Sequence, residues 1–267
     1  MSVVRETHIV YTVQPGDTLF AIASRFGSTV SEIQRTNLLY PPITDPGLIY
    51  PSWTILVPVP AEQPYRTIYI AAPGDMLYRI GHRFSAHTDL LAGVNRLQDP
   101  NRIGIGQPFW VPAFVYEVKS GETLTGISRH LQISLTDILY ANEGRPGLSL
   151  DLIYAGYRLL IPLPSSRNIA VIRPLPGDVI QSGVQVEGFA RVFEANVLMQ
   201  IRDDNGVVVS DERFTTALEG APAYGYFIER LPFDRTPTTR RGELWVYARS
   251  AEDGRIIDLV QVTVYFS

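Results

Sequence analysis

Tyr11-Thr12-Val13-Gln14-Pro15-Gly16-Asp17-Thr18-Leu19-Phe20-Ala21-Ile22-Ala23 changes its periodicity at Pro15-Gly16. Before that point the side chains alternate from His8 to Val13, the period-two pattern of a short strand. After it, Asp17-Thr18 offers the side-chain oxygens that cap a helix N-terminus. Leu19, Ile22, Ala23 and Phe26 then fall at i, i+3, i+4 and i+7, one apolar helix face, and Gly27 supplies a left-handed stop. Thr29 and Glu32 have capping-box spacing and open a second helix through Val30 and Ile33 to Asn37. Ile55-Leu56-Val57, stopped by Pro58, reads as a last strand. The unit is strand, helix, helix, strand.

The same order is written twice more. One copy runs through Tyr69-Ile70, Gly74-Asp75-Met76-Leu77, Ile80, Gly81, Phe84, Leu91 to Asn95, and Phe109-Trp110-Val111-Pro112. The other runs through Tyr116-Glu117-Val118, Gly121-Glu122-Thr123-Leu124, Ile127, Ser128, Leu131, the pair Ser134 and Asp137, and Leu159-Leu160-Ile161-Pro162. Such a period sets the architecture of this part of the chain. Residues 8–60, 66–113 and 114–164 are the three expected units, each with its end strands antiparallel and both helices on one face. Units of about 45 residues lie near the lower limit for independent folding, so contacts between copies should contribute to stability. The Pro-containing linker over residues 59–68 is longer than Ala113-Phe114-Val115, which predicts that copies two and three are the more rigidly associated pair.

Beyond Leu163-Pro164-Ser165-Ser166 the pattern is strand-only. Segments 169–172, 184–190, 197–201, 226–231, 244–248 and 259–266 alternate and are rich in β-branched and aromatic residues, with Gly-containing turns between them. About seven such strands over 168–267 predict an immunoglobulin-like sandwich. The fold class is therefore α+β repeats followed by an all-β sandwich. Within the sandwich, Glu194 reads as a buried carboxylate accepting backbone hydrogen bonds, and Trp245 as a core residue.

The repeated unit resembles the LysM domain over nearly all of residues 8–162. Copy one carries Tyr-Thr-Val-Gln-Pro-Gly-Asp-Thr-Leu, then Asn37, Leu48-Ile49-Tyr50-Pro51 and the closing Val57-Pro58; copy three carries Leu152-Ile153-Tyr154-Ala155-Gly156 and Ile161-Pro162. The resemblance implies non-catalytic binding of N-acetylglucosamine-containing glycans, peptidoglycan or chitin-type, in a shallow groove between two loops. In copy one these are Gly16, Asp17, Thr18 and Leu19 facing Gly47, Leu48, Ile49 and Tyr50. In copy two they are Gly74, Asp75 and Met76 facing Ile103, and in copy three Gly121, Glu122, Thr123 and Leu124 facing Leu152, Ile153 and Tyr154. Backbone amides and carbonyls would pair with the acetamide, and an isoleucine would receive its methyl group. Copy two departs most: Met76 replaces threonine, Gly104 replaces tyrosine and the second loop is shorter. Ser52 stands for the turn glycine in copy one and Glu122 for the aspartate in copy three.

Residues 169–266 resemble the immunoglobulin-like domain of bacterial spore germination proteins. Ile172-Arg173-Pro174, Val186-Glu187-Gly188-Phe189-Ala190-Arg191-Val192-Phe193-Glu194-Ala195, Gly225-Tyr226-Phe227, Gly242-Glu243-Leu244-Trp245-Val246-Tyr247 and Ser250-Ala251-Glu252-Asp253-Gly254 carry the likeness. It implies a role in adhesion, spacing or assembly.

Composition narrows the function. The net charge of −4 is spread as 13 acidic against 12 basic residues over 1–165 and 14 against 11 beyond, without the basic stripe that nucleic-acid binding needs. Of 23 basic side chains only Lys119 is a lysine, a bias of genome or heat adaptation rather than a binding surface. The absence of cysteine removes disulfides, thiolate metal sites and cysteine nucleophiles. All four histidines, His8, His82, His87 and His130, lie in the repeats, which leaves the sandwich without a serine triad or zinc site. A two-carboxylate glycosidase passes the inventory, but no segment is left over for its catalytic domain. No enzyme, metal or cofactor is expected. No apolar run approaches the roughly 18 residues of a membrane span. Residues 1–8 hold no apolar signal core, so the chain stays inside, leaves by another route, or begins after a removed leader. The expected location is the cell wall, cell surface or spore envelope. A second reading is a structural protein of a spore coat or envelope, with coat or envelope proteins as partners.

Overall fold

The computed structural model describes residues 3–4, 6–60 and 66–267; half of the first linker, residues 61–65, therefore lies outside the described residues. Repeat one comprises β1 (Thr7–Thr12), α1 (Leu19–Phe26), α2 (Val30–Asn37) and β2 (Thr54–Val59). Repeat two comprises β3 (Thr67–Ile70), α3 (Leu77–Arg83), α4 (Thr88–Val94) and β4 (Pro108–Val111). Repeat three comprises β5 (Ala113–Glu117), α5 (Leu124–Leu131), α6 (Leu135–Ala141) and β6 (Arg158–Pro162). The end strands of each pair antiparallel.

Local chemistry explains the helices. Thr18 and Thr123 accept from the backbone N–H three residues on, and Thr29 and Glu32 complete a capping box. Gly27 ends α1 at φ 70°. One asparagine per repeat then ties the second helix to the closing strand. Asn142 donates to the Ile138 and Leu160 carbonyls and accepts from the Leu160 N–H at 2.7–2.9 Å. Asn37 and Asn95 make the same three bonds.

The association of the repeats differs from expectation. Copies one and two are the pair that shares a sheet: β1 pairs parallel with β3, giving the order β2-β1-β3-β4. Copy three keeps its own two-stranded sheet yet is locked to both others. Arg158 donates to Thr36 at 3.1 Å and to the Glu6 carboxylate at 3.0 Å, while its Nε lies 3.4 Å from Glu117. Arg145 donates to the Arg158 carbonyl and to Asn37 Oδ1, with its guanidinium 5.0 Å from the Tyr157 ring centroid. Arg83 of repeat two reaches the Ala141 and Glu143 carbonyls and Thr54 Oγ1. One apolar cluster draws Val10 and Leu56, Leu90 and Phe109, and Ala141 and Leu160 from the three repeats in turn. Linker length was a poor guide because side chains distant in sequence, not the connections, make this junction.

The C-terminal domain is a sandwich of eight strands. β7 (Ile169–Arg173), β9 (Val184–Ala190) and β12 (Gly225–Leu231) form one sheet; β8 (Asp178–Ile180), β10 (Asn196–Asp203), β11 (Val208–Thr216), β13 (Arg241–Arg249) and β14 (Ile256–Phe266) form the other, in the order β11-β10-β13-β14-β8. The alternation missed β8, which is three residues long, and β11, whose centre is Asp211-Glu212-Arg213. Both are edge strands, where charge and brevity discourage intermolecular pairing. Ile169, Val186, Met199, Phe227, Val246 and Val262 contribute to the core between the sheets.

Two readings of this domain are corrected. Glu194 is exposed, on a turn of left-handed residues rather than inside the sandwich. Trp245 is half-buried on the outer face of the larger sheet, under Arg202 at 4.1 Å and donating to Glu243 at 2.8 Å. The sandwich rests on repeat two: Tyr224 packs against Gly93, Trp110 meets Phe189 edge-on, and Asp89 binds Arg167 and Arg191.

Candidate functional site

In each repeat, a first loop joins the first strand to the first helix and a second loop joins the second helix to the last strand. Reciprocal backbone bonds clip the two together. Ser52 N–H donates to the Val13 carbonyl at 2.9 Å, and Val13 N–H to the Trp53 carbonyl at 2.8 Å. Gly106 with Ala71, and Gly156 with Val118, repeat the clip at 2.8 and 2.7 Å. The turn residue is left-handed in all three: Ser52 at φ 73°, Gly106 at 79° and Gly156 at 83°. Serine therefore bears a strain in copy one that glycine avoids in the others.

The acidic residue of the first loop works inside the loop. Asp17 accepts from the Tyr11 hydroxyl and the Gln14 N–H, both at 2.8 Å. Asp75 does the same with Tyr69 and Ala72, and the longer Glu122 with Tyr116 and Lys119. Glutamate in copy three thus preserves the staple. Burial first, and then this bond, push the Tyr11 hydroxyl up to about 12; Tyr69 and Tyr116 are raised for the same reasons. Thr18 and Thr123 are helix caps, and Leu19 and Leu124 are core. Met76 cannot cap α3 and stands about half exposed.

What the loops present outward is narrower than the full set of expected residues. Gly16, Gly74 and Gly121 are exposed at positive φ, as is Gly47. Leu48, Tyr50 and Leu152 each expose about half of their surface. Ile49 packs partly into the repeat-one core, and Ile153 and Tyr154 into that of repeat three. Ile103 packs likewise in repeat two, where Gly104 leaves the adjacent position without a side chain. The structure thus brings together both loops within each repeat; copies one and three expose Leu48, Tyr50 and Leu152 there, and copy two exposes Met76 and Ile105. Sequence reasoning missed Trp53, which meets Tyr50 edge-to-face at 4.9 Å, and the exposed Phe20 and Tyr78 that follow the first loops. Phe20 lies off the i, i+3, i+4 face occupied by Leu19, Ile22 and Ala23, and an aromatic off that face was the available signal.

Comparison with known proteins agrees with this geometry. The LysM domain model matches residues 11–58, 69–112 and 116–162, and the model of the immunoglobulin-like domain of bacterial spore germination matches 168–255. The LysM matches cover more than half of the chain, which belongs to the LysM domain family and carries a germination-type immunoglobulin-like domain after its three repeats. The putative sporulation-specific glycosylase YdhD of Bacillus subtilis is 38% identical over 95 residues, 36% of this chain and 22% of that protein. The secreted LysM effector ECP6 of Passalora fulva is 29% identical over 185 residues, 58% of this chain and 78% of ECP6. The autolysin of Enterococcus faecalis is 22% identical over 252 residues, 80% of this chain and 33% of the autolysin. Among solved structures, the spore cortex-lytic enzyme SleL of Bacillus cereus is 31% identical, covering 39% of this chain and 22% of SleL, with a TM-score of 0.30. The chain thus spans about a fifth of the length of YdhD and of SleL.

Proposed function

We propose that this protein binds N-acetylglucosamine-containing wall glycans, peptidoglycan or chitin-type, through the clipped loops of its LysM repeats, and that it does so without cleaving them. The observation that carries this reading is the repetition of one surface: a glycine backbone at positive φ opposite an apolar rim, in copies one and three. Exposed N–H and C=O groups complement an acetamide, and the rim of Leu48, Tyr50 and Leu152 complements its methyl group and the sugar ring. Copy two differs: it has no side chain at Gly104, and Met76 and Ile105 are the apolar groups it exposes. A shallow groove binds weakly alone, and several on one polymer raise the apparent affinity.

A non-catalytic role is supported by how the histidines are used. His8 is buried and held neutral by burial and by Arg158. His87 caps α4, His82 lies edge-on to Tyr140, and His130 stacks on Tyr265. The names of YdhD, ECP6 and the autolysin support a location at a wall, a secreted space or a spore envelope.

Co-sedimentation with insoluble peptidoglycan and chitin, competed by soluble N-acetylglucosamine oligomers, tests the reading. Retention that oligomers release is expected, and Leu48→Asp with Leu152→Asp should abolish it in a folded protein. Failure to sediment with either polymer would refute glycan binding; release of soluble fragments carrying new reducing ends would refute the absence of catalysis.

A further inference from the structure

The turn Phe193-Glu194-Ala195, between β9 and β10, takes no part in the glycan grooves, yet it departs from local preference at every position. Phe193 exposes 69% of its surface. Glu194 and Ala195 have φ of 52° and 58°, a left-handed conformation unfavourable for any residue with a Cβ. Glu194 is exposed, and no described residue hydrogen-bonds or pairs with its carboxylate. Ala195 is held by burial in the sandwich core and by backbone bonds with Val192 and Ala217, so the departures without local compensation are those of Phe193 and Glu194, the kind that mark functional positions.

The turn overhangs a cavity of about 590 Å³ on the outer face of the five-stranded sheet, within the size range of ligand clefts. Its floor is apolar. Leu198 and Phe214 are cross-strand partners there, beside Ile257, and Phe214 is 66% exposed. The other charges around the cavity are engaged. Arg191 binds Asp89 and the Asn168 side chain; Arg249 binds the Glu212 carboxylate and the Gly254 carbonyl; Asp258 accepts from Asn168. What remains is an aromatic and aliphatic surface with one unpaired carboxylate at its rim. The complement is an aliphatic cation, whose methylenes lie on Phe193 and Phe214 while its charged head meets Glu194. Arg191 and Arg249 belong to the same lining, but their charges are already paired, and a neutral sugar would leave the Glu194 carboxylate without an ionic partner.

We propose that this cleft docks a basic segment of a partner protein, seating a lysine or arginine side chain flanked by apolar residues. The site is separate from the LysM grooves and does not depend on their binding glycan.

The test is an NMR titration of the full chain with the pentapeptide Gly-Leu-Lys-Leu-Gly, its arginine analogue and its Nε-acetyl-lysine analogue. The lysine or arginine peptide should shift ring and methyl resonances of Phe193, Phe214 and Ile257, with affinity falling as salt rises. Acetylation should weaken binding about tenfold, and Glu194→Gln should weaken the lysine peptide about tenfold while leaving the acetylated one unchanged. Glu194 is exposed, so this variant keeps its fold. Glu194→Gly should melt at a higher temperature and still lose the lysine peptide, separating backbone strain from recognition. Equal affinity for the lysine and acetyl-lysine peptides, no effect of Glu194→Gln, or no shift at these residues with either cationic peptide at millimolar concentration would overturn the proposal.

Discussion

Mild acid should destabilise this protein through a single histidine. His8 is fully buried, with Nδ1 3.1 Å from the Glu6 carbonyl and Nε2 3.2 Å from Arg158 Nη1. A guanidinium only donates and a carbonyl only accepts, so Nδ1 carries the proton and Nε2 is bare. Burial chiefly, and then Arg158, lower the pKa from 6.5 to about 3, against a smaller opposing effect of the Glu6 carbonyl bond. The Glu6 carboxylate, 3.7 Å from Nε2, is half exposed and already shared with Arg158. The unfolded chain thus takes up a proton near pH 6.5, which the folded chain refuses until about pH 3. The stabilisation is complete above pH 6.5 and declines as pH falls towards 3, by about 1.4 kcal/mol per unit. Between pH 6.5 and about 5 the loss is roughly 2 kcal/mol. Urea denaturation in half-unit pH steps, followed by tryptophan fluorescence, measures it. His8→Gln is the control, because glutamine can accept from Arg158 and donate to Glu6 without titrating. The wild type should lose about 2 kcal/mol more than this variant across that window. Parallel stability profiles for the two proteins would refute the buried, neutral histidine and the interior built around it.

Four further outcomes follow from the packing. Asn142→Ala removes three bonds and leaves the Leu160 N–H and carbonyl short of partners in the interior, so it should cost about 3–5 kcal/mol by denaturant unfolding. Asn95→Ala, in the same role but half-buried, should cost about half as much because water can reach the freed groups. Ser52→Gly should stabilise by about 1 kcal/mol, seen as a raised denaturation midpoint, by relieving a φ of 73°. Gly93→Ala places a Cβ 2.0 Å from the Tyr224 ring and should split calorimetric unfolding into separate repeat and sandwich transitions, with Tyr224→Ala restoring a single one.

The sequence reading succeeded where the determining interactions are local. Thr29 and Glu32 are three residues apart and touch each other, and Leu19, Ile22 and Ala23 share one helix face. It failed where partners are distant. Arg145 and Arg158 have the composition of surface residues, and partners more than a hundred positions away, among them Asn37, Thr36 and His8, help make them interior ones. The parallel pairing of β1 with β3 has no signature in either strand. In the first loops the motif Gly-Asp-Thr-Leu packs four roles into one spacing: exposed backbone, loop staple, helix cap and core. Separating Asp17 from Gly16 required the Tyr11 hydroxyl, which reaches back from the preceding strand.

That convergence alters what three repeats can do together. Modules on flexible linkers find a polymer independently, with an effective concentration set by linker length. Here β1–β3 pairing and the Arg83, Arg145 and Arg158 contacts hold the repeats to one another, so their grooves keep a fixed spacing and orientation. A rigid array is selective in a way that a flexible one is not. It gains the full benefit of multivalency from a glycan that presents its sugars in matching register, and almost none from one that cannot. On the proposed glycan-binding role, the buried arginines would act on binding through the spacing they fix, although none of them lies in a groove. On the same proposal, copy two would contribute to affinity even without holding a sugar, as a spacer that fixes copies one and three relative to each other.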